Sequence, residues 1–258
     1  VTAVRALHSR AGRRKARAFL TEGPQAVEAA LQSGASIREV FVVDSDVEWT
    51  RAAQAANLRV TTVTADVLAA MAETEQPQGV LAVCDLLPSV PLETIMDGMG
   101  PVLVLEALSD PGNVGTAIRT ADAVGAAGVI LTPESADIHN GKVIRATAGS
   151  VFHVPCATGI DLDEMVGAAR RAGRSIAVAT GDGSVDLFAA VSGGLVNDST
   201  VWLIGSEAHG ISARARSLAD HLVSIPMRGG AESLNAAVAA AVVLYVTRHG
   251  DGASTQAK

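Results

Sequence analysis

Apolar and polar positions fall in blocks along this chain, and the length of each block separates strands from helices. PVLVLEAL (101–108) is a continuous apolar run of strand length, residues 113–124 carry apolar positions at helical spacing, and GVILTP (128–133) is apolar again. Further strands fit VFHVPC (151–156), SIAVAT (175–180), TVWLIG (200–205) and HLVSIP (221–226), with helices over 162–172, 213–218 and 234–248. Strands that are apolar on both faces and alternate with helices belong to a parallel sheet covered on both sides. The pattern therefore predicts a doubly wound α/β unit.

A smaller α/β unit precedes it. In FLTEGPQAVEAALQSG (19–34), Val27, Ala30 and Leu31 repeat at helical spacing and Gly34 provides the stop. EVFVVD (39–44) and LRVTTV (58–63) read as strands, 52–56 and DVLAAMAE (66–73) as helices, and GVLAVCDL (79–86) as a strand after the breaker-rich EQPQG (75–79). Three prolines and two glycines between residues 86 and 101 place a linker near 88–100. The expected domains are 1–92 and 93–258.

Composition narrows the class. The chain has 258 residues, 48% hydrophobic and 18% charged, against roughly 25% charged in an ordinary globular protein. That excludes a disordered chain, and no period supports a repeat architecture. The net charge of −7 argues against a uniformly basic nucleic-acid coat. Yet Arg5, Arg10, Arg13, Arg14, Lys15 and Arg17 all precede the first acid, Glu22. This run is either a solvated N-terminal face or a local phosphate-binding patch. Cys84 and Cys156 form no disulfide framework, and the histidines show no zinc spacing, so no metal is expected. No signal-like apolar segment stands within residues 1–20, and the apolar stretch 234–246 is too short to span a bilayer, so no membrane is expected and the cytoplasm is the default compartment.

In parallel sheets the ligand crevice lies outside the carboxyl ends of the strands. Four loops follow apolar runs: SDPGNVGTAIR (109–119), TGDGS (180–184), GSEAHGIS (205–212) and PMRGGAESLN (226–235). In the first, Asn113 is placed to cap a helix carrying Gly115 and Arg119. A glycine-rich turn after a strand invites a dinucleotide reading, with Glu134 at a distance suited to a ribose. GNVGTAI, however, offers two glycines where GxGxxG needs three. In the third, Glu207 stands among glycines that permit close backbone approach to a ligand. In the fourth, Ser233 and Asn235 stand at the start of a helix.

On these loops the second unit resembles the SpoU (TrmH-type) RNA ribose 2′-O-methyltransferases of the SPOUT superfamily. DPGNVGTAIRTADAVGA (110–126) is similar to the family's first motif, WLIGSEAHGIS (202–212) to its second and IPMRGGAESLNAAVAAAVVLY (225–245) to its third. KVIRATAGSVFHVP (142–155) resembles a further family block. RRKARAFLTEGPQAVEAAL (13–31) and TEQPQGVLAV (74–83) resemble the ends of an L30e-like RNA substrate-binding domain. With both domains present, the ribosomal RNA and thiostrepton-resistance branches are closer than the single-domain tRNA enzymes.

The resemblance implies a small L30e-like α/β domain followed by a SPOUT parallel-sheet domain with a C-terminal trefoil knot, and a homodimer with the site near the subunit interface. It implies transfer of a methyl group from S-adenosyl-L-methionine to a ribose 2′-hydroxyl in structured RNA, with rRNA favoured over tRNA. Arg119 takes the family's catalytic position beside Asn113, with Glu207, Ser233 and Asn235 at its other polar positions. A guanidinium stays protonated, so Arg119 fits a clamp on phosphate and a stabiliser of the 2′-oxyanion, the proton passing to phosphate or water. Thr180, Gly181, Gly205, Ile225, Met227 and Leu234 would border the cofactor. Arg145, with Arg13, Arg14 and Lys15, would meet RNA phosphate. Ala208 departs from the glycine the family often has after the glutamate. The seven Phe, Trp and Tyr residues form no cluster for base stacking, so recognition rests on shape and phosphate. Two alternatives remain: a non-catalytic RNA-binding protein of this fold, and a nicotinamide-dependent oxidoreductase.

Overall fold

The computed structural model describes residues 1–44, 48–206 and 210–250. The chain forms two compact units, one comprising Val1–Pro88 with Asp137–His153, the other Ser89–Ala136 with the chain from Val154 onward. The first segment of the first unit ends at Pro88, where the sequence-based boundary lies between 92 and 93. Residues 137–153, expected in the second domain, belong to the first unit.

Unit 1 opens with α1 (Thr2–Arg5), a 3-10 turn and α2 (Arg10–Ala16), and continues through β1 (Ala18–Glu22), α3 (Pro24–Gln32), β2 (Ile37–Val42), α4 (Glu48–Ala55), β3 (Val60–Thr62), α5 (Ala65–Met71) and β4 (Val80–Asp85). The sheet order is β1-β4-β2-β3, with only β2 and β3 parallel. Ser9 caps α2 by accepting from the Gly12 amide, and Arg17 ends it in the left-handed region at φ 51°. The basic run is therefore a helix. Residues 19–22, included above in the stretch read as helical (19–34), belong to a strand because Ala18, Phe19, Leu20 and Thr21 are buried along both faces.

The chain then moves to unit 2. The expected linker is largely ordered: α6 (Leu92–Met96) buries Leu92, Ile95 and Met96 in the core of this unit. An i, i+3, i+4 apolar pattern inside a proline- and glycine-bracketed stretch is enough to seat one short helix. After it come β5 (Val102–Leu105), α7 (Pro111–Val124) and β6 (Gly128–Leu131). With α8 (Gly141–Thr147) the chain is back in unit 1, and it leaves again for β7 (Cys156–Thr158), α9 (Leu162–Arg171), β8 (Ser175–Ala179), β9 (Val185–Asp186), α10 (Leu187–Ser192), β10 (Thr200–Ile204), α11 (Ala213–Leu218), β11 (His221–Ser224) and α12 (Ala236–His249). VFHVPC is not one strand: Ser150–Phe152 is a 3-10 turn, and only Cys156 begins β7.

The seven strands of unit 2 are ordered β7-β6-β5-β10-β8-β11-β9, and every pairing is parallel. β5 and β6 are buried at every position, as strands covered on both faces must be. Trp202 of β10 is fully buried and donates its indole N–H to the Thr247 hydroxyl of α12 at 3.0 Å, which satisfies the one polar atom of the largest core side chain. Arg174, 8% exposed, donates to the carbonyls of Met96, Gly98, Gly100 and Asp198 and fastens the loops around α6. Among the described residues no helix is long and apolar enough to cross a membrane.

Candidate active site

In the sheet order, β5, β10, β8 and β11 are consecutive and parallel. The loops after them are 106–110, 205–212, 180–184 and 225–235, so the segments singled out in the sequence leave one end of one sheet. That is the place where open α/β sheets bind ligands.

α7 begins one turn earlier than the sequence suggested. Asp110, not Asn113, is its cap: the Asp110 carboxylate accepts from the Asn113 amide at 2.8 Å, and Pro111 occupies the first helical turn. Released from capping, the Asn113 side chain accepts through Oδ1 from Asn235 Nδ2 at 3.0 Å. Asn235 is itself the cap of α12, its Oδ1 accepting from the amides of Ala237 at 3.0 Å and Val238 at 3.3 Å. Both ends of the Asn235 amide are thus committed. The first and third motifs are joined by one side chain whose orientation the helix start dictates.

Beside this junction lies a cavity of about 730 Å³. Small-molecule sites typically enclose about 300–1,000 Å³. All six residues expected to border a cofactor line it, namely Thr180, Gly181, Gly205, Ile225, Met227 and Leu234, together with Ser233. Gly205 has a packing reason for its identity: a Cβ there would collide with the Gly210 carbonyl, where Ser206 and Gly210 form an isolated bridge. Gly205, Ser206 and Gly210, held close together in this way, all line the cavity. Apolar Ile225 and Leu234 with backbone-rich walls suit a planar heterocycle with a polar edge, so the residues present fit an adenosine-bearing group. Glu207 and Ala208 lie outside the described residues.

The sequence reading missed several residues at this end of the sheet. Glu106, 8% exposed directly after β5, accepts from the Ser212 amide at 2.9 Å and so fixes the start of α11. Ser212 caps that helix through the Ala215 amide. Asp182 and Arg216 form a forked ion pair. A lone carboxylate after an apolar run was the available signal for Glu106. Nothing in spacing signals a partnership between residues 182 and 216.

Arg119 is exposed on α7, does not line the cavity, and makes no ion pair or side-chain hydrogen bond among the described residues. The other expected RNA contacts divide sharply. Arg14 and Lys15 are exposed. Arg13, by contrast, is 3% exposed, donates to Asp137 Oδ2 at 2.8 Å from Nη2 and 3.2 Å from Nε, and bonds the carbonyls of Leu7 and His8. Its charge is spent inside unit 1, which corrects its expected place on the phosphate-binding face. Arg145 likewise pairs with Glu73 at 3.1 Å and Glu22 at 3.7 Å within the same unit, so a carboxylate pair stands where phosphate was expected.

The surroundings of Arg13 are polar and internally matched. Burial pushes the Asp137 carboxyl up, but the hydrogen bonds it accepts from His139 and Arg13 outweigh burial and hold it well below the usual carboxylate range. His139 Nε2 accepts from the Leu87 amide at 3.0 Å, so the ring carries its proton on Nδ1, facing Asp137. Phe19 packs against His139 and Phe152 at centroid distances of 5.1 and 6.2 Å. Gly149, at φ 99°, brings the family block against α3 where a Cβ would stand 2.6 Å from the Ala29 Cβ. Burial pushes the thiols of Cys84 and Cys156 up to about 11 and about 12, so neither is a nucleophile at neutral pH. Among the described residues no group of His, Cys, Asp or Glu could hold a metal ion.

A parallel sheet with a nucleotide-sized cavity at its carboxyl end, walled by glycine-bearing loops next to an asparagine junction, defines an α/β enzyme that handles an adenosine-type ligand. The nicotinamide reading fits it poorly, because Gly115 is buried inside α7 and the cavity is walled by the loops after β8, β10 and β11. Comparison with known proteins resolves the class. Residues 100–245 match the SpoU rRNA Methylase family, and residues 1–82 match the MRM3-like substrate binding domain. The chain belongs to the SpoU rRNA methylase family.

Among curated relatives, it is 35% identical to the 23S rRNA (guanosine(2553)-2′-O)-methyltransferase RlmP of Bacillus subtilis, over 94% of this chain and 93% of that protein. It is 34% identical to the 23S rRNA (uridine(2479)-2′-O)-methyltransferase of Streptomyces viridochromogenes, over 93% and 85%. Among solved structures, the SpoU methyltransferase AviRb of S. viridochromogenes in complex with the cofactor AdoMet matches with a TM-score of 0.85 at 28% identity, covering 98% of this chain and 97% of that one. An AdoMet-bound rRNA methyltransferase from Sinorhizobium meliloti matches with a TM-score of 0.85 at 31% identity, covering 96% and 94%.

Proposed function

We propose that this chain methylates the ribose 2′-hydroxyl of a nucleotide in ribosomal RNA, using S-adenosylmethionine held in the cavity of unit 2. The observation that carries this reading is that the six residues assigned to the cofactor line one cavity, beside the Asn113–Asn235 junction. Residues 1–92 serve the RNA and residues 93–258 the transfer.

Bound there, S-adenosylmethionine would supply an electrophilic methyl group on a sulfonium. The chain's own residues do the rest by placement and charge. Thr180, Gly181 and Gly205 present main-chain groups, while Ile225 and Leu234 cover an apolar ring face. Asn113 and Asn235 hold each other in one orientation at the motif junction, Ser233 lines the cavity, and Glu207 is assigned the family's remaining polar position by its place in the second motif. Arg119, permanently cationic, clamps the target phosphate and stabilises charge on the 2′-oxygen as its proton leaves to phosphate or water. Arg14 and Lys15, with Arg10 and Arg17 on the same exposed segment, supply phosphate contacts in an otherwise acidic protein.

Two further features belong to this reading. The C-terminal region forms the family's trefoil knot, and two copies pair as a homodimer. Supporting the pairing, Val238 and Tyr245 of α12 are 47% and 45% exposed on a helix that is otherwise mostly apolar. A cytoplasmic location follows from ribosomal RNA as substrate.

The test is transfer of labelled methyl from S-adenosylmethionine to 23S rRNA, with the product resistant to alkaline cleavage at one position. Arg119→Ala should lower the rate about 10²–10³-fold, as removing a preorganised oxyanion contact does, while the exposed control Arg51→Ala keeps it. Equal loss in both variants refutes the role given to Arg119. Cofactor-free RNA binding with no transfer to any RNA would favour the non-catalytic reading.

A further inference from the structure

The loop after β8 is short, has a glycine on each side of Asp182, and forms a wall of the cavity through Thr180 and Gly181. Its two ends are fastened to β11: the Thr180 amide donates to the Val223 carbonyl at 2.9 Å, and Gly183 sits so tightly on the Val223–Ser224 backbone that a Cβ would collide with it. Its tip is held differently. Arg216 Nη1 and Nη2 grip Asp182 Oδ1 and Oδ2 at 2.9 and 2.7 Å. The Thr180 hydroxyl sits inside this grip, donating to Asp182 Oδ1 at 2.6 Å and accepting from Arg216 Nη1 at 2.9 Å.

Arg216 belongs to α11, the helix that follows the second motif. The start of that helix is fixed to the sheet through Ser212 and Glu106. The other end of the linkage is therefore a second wall of the same cavity, where Gly210 and Ile211 lie. A chain of contacts from Glu106 through Ser212, α11 and Arg216 to Asp182 sets the distance between the two walls. Both members of the pair face solvent, with Asp182 at 69% and Arg216 at 32% side-chain exposure, and exposed ion pairs add little to global stability. What this one ties together is the cavity. The Arg216 guanidinium and the Thr180 hydroxyl hold the Asp182 carboxyl well below the usual carboxylate range, so the pair stays charged through the whole neutral and mildly acidic range.

We propose that Arg216 and Asp182 are positioning residues for the cofactor: their forked ion pair, closed over the Thr180 hydroxyl, holds the 180–184 wall in its binding shape before the ligand enters. A glycine-flanked loop left to itself would have to be ordered by the ligand, and that ordering would be subtracted from affinity. The Thr180 side chain is consumed by the clasp, so this residue serves the ligand through its main chain. The inference rests on the reading of the cavity as the S-adenosylmethionine site.

The experiment titrates S-adenosylmethionine into the full chain by calorimetry, for wild type, Arg216→Gln, Asp182→Asn, the double variant and Arg216→Lys. Amide exchange of residues 180–184 is measured in the absence of ligand. Each single variant should raise Kd about fivefold, because the loop must then be ordered by the ligand. The double variant should be no weaker than the weaker single variant, because both remove the same pair. Arg216→Lys, which keeps the charge without the fork, should fall between. Exchange at Gly181–Gly183 should quicken in the Gln and Asn variants, and kcat at saturating cofactor should stay within about twofold while KM for the cofactor rises.

Single variants that bind as wild type does, with unchanged exchange, overturn the clasp and leave the cofactor reading standing. A uniform fall in melting temperature across all variants, with affinity lost in proportion, assigns the pair to general stability and also overturns the proposal. A wild type that binds no S-adenosylmethionine overturns the reading of the cavity, and the clasp with it.

Discussion

Asn235 performs two tasks with one amide, and two substitutions separate them. Its Oδ1 caps α12 through the Ala237 and Val238 amides, and its Nδ2 holds Asn113. Asn235→Ala removes both. Loss of an asparagine cap costs about 1 kcal/mol, within a range of about 0.5–2. For a chain of this size that lowers Tm by about 2–4 °C. Asn235→Asp keeps an acceptor at the helix start and adds a charge the helix dipole favours, so its Tm should stay within about 1 °C of wild type. It does remove the donor to Asn113, leaving the Asn113 Oδ1 opposite a carboxylate that cannot donate to it. The loss of one net hydrogen bond, about 1 kcal/mol, corresponds to about fivefold in kcat/KM. Differential scanning calorimetry and methyl-transfer kinetics read the two effects separately. If Asn235→Asp melts as low as Asn235→Ala, the cap is not what stabilises α12. If Asn235→Asp transfers methyl at the wild-type rate, the orientation of Asn113 does not matter to the site.

Four further outcomes follow from the geometry. Gly205→Ala should weaken S-adenosylmethionine binding by at least tenfold in calorimetry, because the Gly210 carbonyl occupies the place of the new methyl and the loop must shift out of the cavity wall. Arg13→Ala should destabilise the protein by about 3 kcal/mol in urea unfolding, since it leaves the Asp137 carboxylate partly buried without its arginine counter-ion. An Arg14→Ala/Lys15→Ala double variant should keep wild-type stability but reduce the salt slope of RNA binding by about 2. Asp137, its folded pKa depressed, contributes stability that is fully present above the ordinary carboxylate value of about 3.9 and is lost as pH falls toward the folded value. Between pH 5 and pH 2 (about the range a carboxylate spans), the wild type should lose stability more steeply than Asp137→Asn, and equal slopes would exclude this carboxyl as a source of acid sensitivity.

The elements that the apolar pattern made legible are those whose burial is uniform. β5, β6 and β10 are buried at every position, β8 along its centre and β11 at Val223, and α7 and α12 carry long apolar repeats, so each could be placed within a few residues. The cavity lining was legible for the same reason, because it consists of whatever follows such strands. Short elements set by tertiary contacts were not. FLTE reads as part of the helical stretch until β4 pairs with it, Leu92–Met96 looks like linker until its apolar side chains are seated in a core, and Val185–Asp186 is a strand only because β11 lies alongside. The fates of the arginines were least legible. Arg13 and Arg14 are neighbours in a basic run, yet Arg13 is buried against Asp137, 124 positions away, and the Leu7 and His8 carbonyls, while Arg14 meets solvent.

The return of residues 137–153 to unit 1 bears on how the protein is made. As the chain leaves the ribosome, all four strands of the first sheet emerge well before Asp137, His139, Arg145 and Phe152, the residues that partner Arg13, Leu87, Glu73 and Phe19. Synthesis runs at about 5–20 residues per second, so on the order of several seconds separates Pro88 from His153. Through that interval the nascent unit holds a cation without its counter-ion and an aromatic ring without its cover. Vectorial synthesis therefore gives chaperones a defined window on this chain, one that closes only after the first strands of the catalytic sheet have also been made.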